Sequence, residues 1–196
     1  MPTTRVDRRV QRTREQLLNA LLALIRERGF EALSVQDIID RANVGRATFY
    51  AHFDNKEDLL VSGLEEFRTA IREHQRRLRQ QSAVGAAEPF LFSRELFDHV
   101  AGHRDVFAAM VGKRSGAVVQ RLMHRILLDL VREELKASDS SEEGESVPSE
   151  AAAQYIATGL WGLLAWWVDA RKAPSAEEMD AVFRRLAVPS LEAALG

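Results

Sequence analysis

The chain has 196 residues, is 46% hydrophobic and carries a net charge of −2, so it can bury a real core and shows no bulk basicity that would advertise a polyanionic partner. It has no cysteine, which excludes disulfides, a thiol nucleophile and a cysteine metal site. Five prolines, eleven glycines and no strand-like alternation predict an all-α fold of about nine helices. Met1 to Arg14 lacks an apolar signal segment, which fits a cytoplasmic protein. It holds Arg5, Arg8, Arg9, Arg12 and Arg14 against one acid, Asp7, and reads as a solvated tail. The first helix is expected from about Thr13 to Arg28, with Leu17, Leu21, Leu24 and Ile25 as its buried stripe and Leu18 and Leu22 widening it. Gly29 suits a left-handed C-cap, and Phe30 and Leu33 then plug the core.

Ser34 to Phe53, SVQDIIDRANVGRATFYAHF, reads as two short helices around a tight turn. Ser34 is a good N-cap, and Asp37 at the third helical position is an acid that comes close to a capping box. Val35, Ile38 and Ile39 repeat at helical spacing, Asn43 tolerates the left-handed conformation of the turn, and Gly45 caps the second helix. Phe49 and Phe53, four apart, anchor that helix and leave Arg46, Thr48, Tyr50 and His52 to point elsewhere. Asp54 is expected to cap the next helix, with Glu57 completing its box. Arg46 and Lys56 then sit in the first turns of adjacent helices, where a cation opposes the helix dipole. A visiting phosphate relieves that conflict, and a helix-turn-helix in a major groove finds one on the DNA backbone.

These residues carry a resemblance. VGRATFYAHFDNKEDLL, Val44 to Leu60, resembles the helix-turn-helix signature of TetR-type transcriptional regulators, and the likeness extends upstream over Leu17 to Ala42. Thr48-Phe49-Tyr50, His52-Phe53 and Lys56 to Leu59 all fit in register. The resemblance implies a three-helix DNA-binding domain over residues 10–70, with its reading motif at 34–53. A helical ligand-binding and dimerisation domain would follow over 71–196. It implies that Arg46, Ala47, Thr48, Tyr50 and His52 approach the major groove. Ser34, Gly45 and Lys56 would attend the backbone, Lys56 holding a phosphate. One departure is Gly45, where the family usually has Ser or Thr, so only its backbone N–H is available. Ala47 and Ala51 are small, so base reading rests on few side chains. The N-terminal arginines would add phosphate contacts or enter the minor groove.

From Asn55 to about Gln81 a helix of roughly twenty-five residues, about 38 Å long, is expected to connect reading head and core. Its apolar stripe runs from Leu59 to Ile71, after which it turns polar. Ser82 to Glu88 is a break. Helices then follow over about Pro89–Gly102, His103–Val111 and Arg114–Lys136. Their Phe and Met residues mostly fill a core, yet such side chains also line adaptable cavities. The expected ligand pocket therefore takes Phe97, Phe107, Met110 and Met123, with Trp161 and Trp166 from the helix beyond. His99, His103 and His124 lack metal-ligand spacing on one face, and no metal or cofactor is expected. Ala137 to Pro148 has four acids and almost nothing apolar, and reads as a mobile acidic loop without a site.

Ser149 can cap the next helix, whose Tyr155 to Val168 run, YIATGLWGLLAWWV, is nearly all apolar. Fourteen residues are too few for a bilayer, which needs about twenty. The segment reads as a helix buried on most of its circumference, with glycines that let another helix approach. A last amphipathic helix starts at Pro174 and Ser175, and Pro189 is expected to bend or end it. In the family these two helices pair with those of a second subunit. The resemblance thus implies a homodimer interface at Tyr155, Gly159, Gly162 and Trp167 of one helix, and at Met179, Val182, Phe183 and Leu186 of the other. A two-fold pair reads two half-sites of a palindrome.

Three function classes follow. The first is a sequence-specific DNA-binding regulator, a repressor released by an apolar or aromatic small molecule in the C-terminal domain. The second is a helix-turn-helix DNA-binding protein without a ligand, constitutive or activating, which a filled core near Phe97, Phe107, Met123 and Trp161 would favour. The third is an enzyme or membrane-surface protein. Against it stand the lack of paired carboxylates, nucleophile motif or phosphate loop, and of basic flanks on the apolar helix.

Overall fold

The computed structural model describes residues 5–81, 89–111, 117–138 and 147–195, and among these the chain is all-α. Helices α1 (Arg5–Arg28), α2 (Val35–Ala42) and α3 (Arg46–Tyr50) form the head. Leu17, Leu21 and Ile25 of α1 share its core with Ile38 and Phe49, all fully buried. Helix α4 (Lys56–Gln81) packs on α1, leaves the head, and then meets α5 (Leu91–Gly102) and α7 (Ala117–Ser138). The short α6 (Arg104–Val111) touches both α1 and α8 (Ser149–Asp169). α7 lies along α8, and α9 (Ala176–Leu195) packs on α5 and α8. No helix among the described residues is long and apolar enough to cross a membrane.

The expected solvated tail is helical from Arg5 onward, so α1 begins two turns before Thr13. The run from Arg5 to Arg28 contains no Gly or Pro to interrupt it. Gln11 donates to Glu15 at 3.1 Å, and the Thr13 hydroxyl to the Arg9 carbonyl at 3.0 Å. Arg14 is held, its guanidinium 4.8 Å from the Phe53 ring centroid and bonded to Ser62 of α4. Arg8, Arg9 and Arg12 are exposed. At the far end Gly29 takes φ 75 and its N–H meets the Ile25 carbonyl at 2.8 Å, as its C-cap role requires.

Three local expectations shift. The start of α4 is capped one residue later than Asp54: the Asn55 side chain accepts from the Asp58 N–H at 2.8 Å, and the Asp58 carboxylate from the Asp54 N–H at 3.1 Å. Pro148, not Ser149, is the cap residue of α8. Pro189 neither ends α9 nor stops its last turns, because Ala187 and Leu191 on either side of it are buried and hold the helix to the core. Ser175 and Glu178 form a capping box at the start of α9, with bonds of 2.7 and 3.1 Å. The break at 82–88 and the start of α7 at Arg114 lie outside the described residues, as does most of the acidic segment 137–148. At its edges Ala137 and Ser138 belong to α7, and the Val147 N–H donates to the Ala193 carbonyl at 3.1 Å.

Ion pairs tie the connector to the core. Arg68 of α4 reaches Asp129 of α7 at 2.9 Å, and Arg72 pairs with Glu133. Arg132 carries the chain on to Glu150 of α8 at 2.6 Å. Arg104 bonds the Trp167 and Ala170 carbonyls, a cation placed at the negative end of α8.

Candidate nucleic-acid interface and effector cavity

The Ser34 hydroxyl accepts from the Asp37 N–H at 3.2 Å and the Asp37 carboxylate from the Ser34 N–H at 2.8 Å, the reciprocal box expected of this pair. Bonds from the Ser34 hydroxyl and N–H, then from Arg28, lower the Asp37 pKa to about 2. Asn43 ends α2 at φ 51, and Val44 folds back through an N–H bond to the Ile39 carbonyl at 3.0 Å. Gly45 then caps α3 with no side-chain bond. Its φ of −69 is ordinary, and an added Cβ would meet nothing nearer than the Thr48 hydroxyl at 3.8 Å. Glycine here is no steric requirement.

Phe49 is fully buried and packs 5.9 Å from Phe53, fixing α3 in rotation. Arg46, Ala47, Thr48 and Tyr50 consequently stand exposed on one short helix. Tyr50 leans edge-on against Phe49 at 5.3 Å, and the Arg46 guanidinium lies 5.6 Å from the Tyr50 ring centroid. Gln36 of α2 accepts from Arg46 at 3.4 Å, so a residue the sequence did not single out helps aim the arginine. His52 is half-buried beside Phe53. Lys56 faces the other way. Its ammonium donates to the carbonyls of Phe30, Glu31 and Leu33 at 3.0, 3.4 and 2.7 Å and lies 4.7 Å from the Phe30 ring centroid. In this structure the side chain expected to hold a phosphate bonds the α1–α2 turn to the start of α4.

A cavity of about 320 Å³ opens where head and core meet. Leu18 and Leu22 of α1 form one wall, Phe67 of α4 another, and His99, Phe107 and Met110 close it from α5 and α6. Gly63 of α4 also lines it, with an added Cβ only 2.5 Å from Leu18. Of the expected pocket residues, Phe107 and Met110 are here; the other four are not. Phe97 packs between Trp167 and Phe183, at 5.4 and 6.4 Å, in the α5–α9 core. Met123 is buried in the core, Trp161 is half-buried against it, and Trp166 is 56% exposed. The legible trace was the extra breadth of the α1 stripe at Leu18 and Leu22, together with a glycine inside α4.

The α8–α9 surface divides the expected dimer residues. Tyr155, Gly159, Gly162 and Trp166 form one exposed stripe at helical spacing, and Val182 and Leu186 of α9 are exposed as well. Between the two helices runs a groove of about 300 Å³, and an added Cβ on Gly159 or Gly162 would meet nothing within 4 Å. Trp167, Met179 and Phe183 are corrected to core positions, each buried to 2% exposure or less. The Trp167 indole donates to the Pro174 carbonyl at 2.8 Å, so its one polar group is satisfied inside the protomer.

A capped two-helix unit with an exposed second helix, set on a helical core, is a helix-turn-helix arrangement. The family model described as bacterial regulatory proteins, tetR family, matches residues 17–62. The model described as transcriptional regulator C-terminal region matches residues 88–188, more than half of the chain. A helix-turn-helix-type transcriptional regulator of Bacillus subtilis, YxbF, is 40% identical over 70 residues, 35% of this chain and 18% of the relative, so the match spans under a fifth of that protein. A TetR-family regulator from Syntrophomonas wolfei shares the fold at TM-score 0.76 and 22% identity, over 93% of this chain and 96% of that one. FadR of Bacillus subtilis, solved with stearoyl-CoA, shares it at TM-score 0.65 and 21% identity, over 90% and 98%. The chain belongs to the TetR family of transcriptional regulators.

Proposed function

We propose that the protein is a homodimeric repressor that binds a palindromic operator and is released when a small molecule enters the cavity at the head–core seam. The observation that carries this reading is the cavity itself, whose walls belong partly to the head through Leu18 and Leu22 and partly to the connector through Phe67. A ligand there touches the element it must move. The likeness to FadR, solved with stearoyl-CoA, supports a ligand-taking core in this fold. Arg46, Thr48 and Tyr50 are the side chains offered to base edges, and the exposed arginines Arg8, Arg9 and Arg12 supply phosphate contacts. Residues 10–70 act as the DNA-binding domain and 71–196 as the dimerising, ligand-binding one. The exposed α8–α9 face takes its copy on a second subunit, setting two heads for half-sites about 34–36 Å apart. A shift of the heads then loses both contacts together.

The test is binding of the purified protein to its own upstream region and to random-sequence libraries over a salt series, with the mass in solution read alongside. Salt-sensitive binding of a dimer to one palindromic segment is expected. Binding of a monomer, or selection of no sequence from the random pool, overturns it.

A further inference from the structure

The seam cavity has a charge signature. Among the described residues that line it, the two that carry formal charge are both acids, Glu66 of α4 and Glu95 of α5. Nearby arginines are turned into other pairs: Arg26 to Asp105 at 2.9 Å, Arg68 to Glu65 and Asp129, and Arg94 to Asp98. Glu95 also has the His74 Nε2 at 3.6 Å on the surface side. The His99 ring lies tilted against Phe67 at 4.2 Å and stacks on His103 at 4.5 Å. Burial, with His103 beside it, lowers the His99 pKa to about 4, so at neutral pH it brings no positive charge. Phe67 and Phe107, which both line the cavity, meet edge to face with centroids 6.4 Å apart, and aromatic rings at this spacing can attract a cation that reaches them.

We infer that this cavity takes a lipophilic organic cation, its apolar body against Leu18 and Leu22 and its positive group among Phe67, Phe107 and the carboxylates of Glu66 and Glu95. The inference rests on reading the cavity as the effector site. An anion of the same shape meets two carboxylates and, among the described lining residues, no lysine or arginine. A neutral analogue keeps the apolar contacts and gains nothing from the charges. Glu66 is exposed, so the charged group stays partly hydrated there, which suits an ammonium better than full burial.

Three probes with one apolar body separate these cases: phenylbutyltrimethylammonium, phenylbutanol and phenylbutanesulfonate, titrated calorimetrically into the full-length protein. The cation is expected to bind at least about tenfold more tightly than the sulfonate. That advantage should fall to about threefold or less in the Glu66→Gln/Glu95→Gln double variant. Phe67→Leu, which keeps bulk and removes the ring, should weaken the cation more than the alcohol. A sulfonate that binds as tightly as the cation, or a cation indifferent to both variants, overturns the assignment. So does binding by none of the three. Each probe is also added to the operator complex. If the cation binds as expected and the complex persists at saturation, the release reading falls while the ligand class stands. If the alcohol or sulfonate releases DNA and the cation does not, the release reading stands and the class is overturned.

Discussion

Lys56 is a charged side chain spent on backbone. Its ammonium serves three carbonyls of the turn between α1 and α2. Lys56→Met is expected to cost about 2 kcal/mol, since hydrogen bonds to charged groups are worth more than neutral ones. Melting should fall by about 4–8 °C, with the salt slope of DNA binding unchanged. A slope lower by one contact at an unchanged melting temperature would return Lys56 to the phosphate. Tyr50→Ala, by contrast, should leave melting nearly intact and remove about 1–3 kcal/mol from specific-site affinity, with far less lost on random DNA. Competition binding with the two DNAs decides it. Asp37 binds its proton less readily in the fold, at about 2, than at its ordinary 3.8. Its bonds therefore stabilise the protein above about pH 4, and that contribution is lost as the pH falls toward 2. Asp37→Asn should lower stability at neutral pH and flatten the acid limb of the stability profile. Melts from neutral pH downward in both proteins are the check, and parallel acid limbs would refute it. The Ser34–Asp37 box was legible because both partners are three residues apart. Lys56 was not, because its partners are carbonyls 23 to 26 residues upstream that only the folded turn brings together.

Helix by helix, what the chain alone reveals is period, and what it withholds is rotation. Adjacent residues on a helix differ by about 100°, so one residue decides between core and surface. Trp166 and Trp167 show this: the first was expected in a pocket and the second in an interface. In the structure Trp166 joins the exposed stripe and Trp167 enters the core. The α8 sequence is apolar on nearly every face, so its periodicity could not choose between them. Gly63 is the counterpart in α4. Gly63→Ala should raise helix propensity by about 1 kcal/mol, yet its Cβ would lie 2.5 Å from Leu18. Moving Leu18 into the cavity costs about 1–3 kcal/mol as overpacking does. The expected outcome is a small net loss of stability and a smaller cavity. Equilibrium denaturation measures the first, and loss of binding by the probes of the seam cavity reports the second. An unchanged cavity with higher stability would mean that Leu18 yields freely.

At the scale of the molecule, the family signature located the head, and the fold class followed from composition. The cavity did not follow, because it is built from four helices that meet only at the seam between head and core. The paired substitution Tyr155→Glu/Leu186→Arg places charge on two exposed positions, 70% and 61% accessible, that lie on the α8–α9 face. It should leave melting of the protomer within a few degrees and yield a monomer by light scattering. Operator affinity should then drop about a hundredfold or more, as one head loses the local concentration its partner supplied. A variant that stays dimeric would move the interface elsewhere.

The Lys56 bonds also set where bending can occur. They fasten the first turn of α4 to the turn between α1 and α2, which ties the helix to the head at that joint. A 26-residue helix is about 39 Å long. Swung by five degrees about its far end, such a rod carries its near end through about 3 Å, and a welded head travels the same arc. Under the proposed release the connector would act as a lever gripped at the head: a tilt imposed beside Phe67 would reach Tyr50, and Lys56→Met would add play at that grip without touching Arg46, Thr48 or Tyr50.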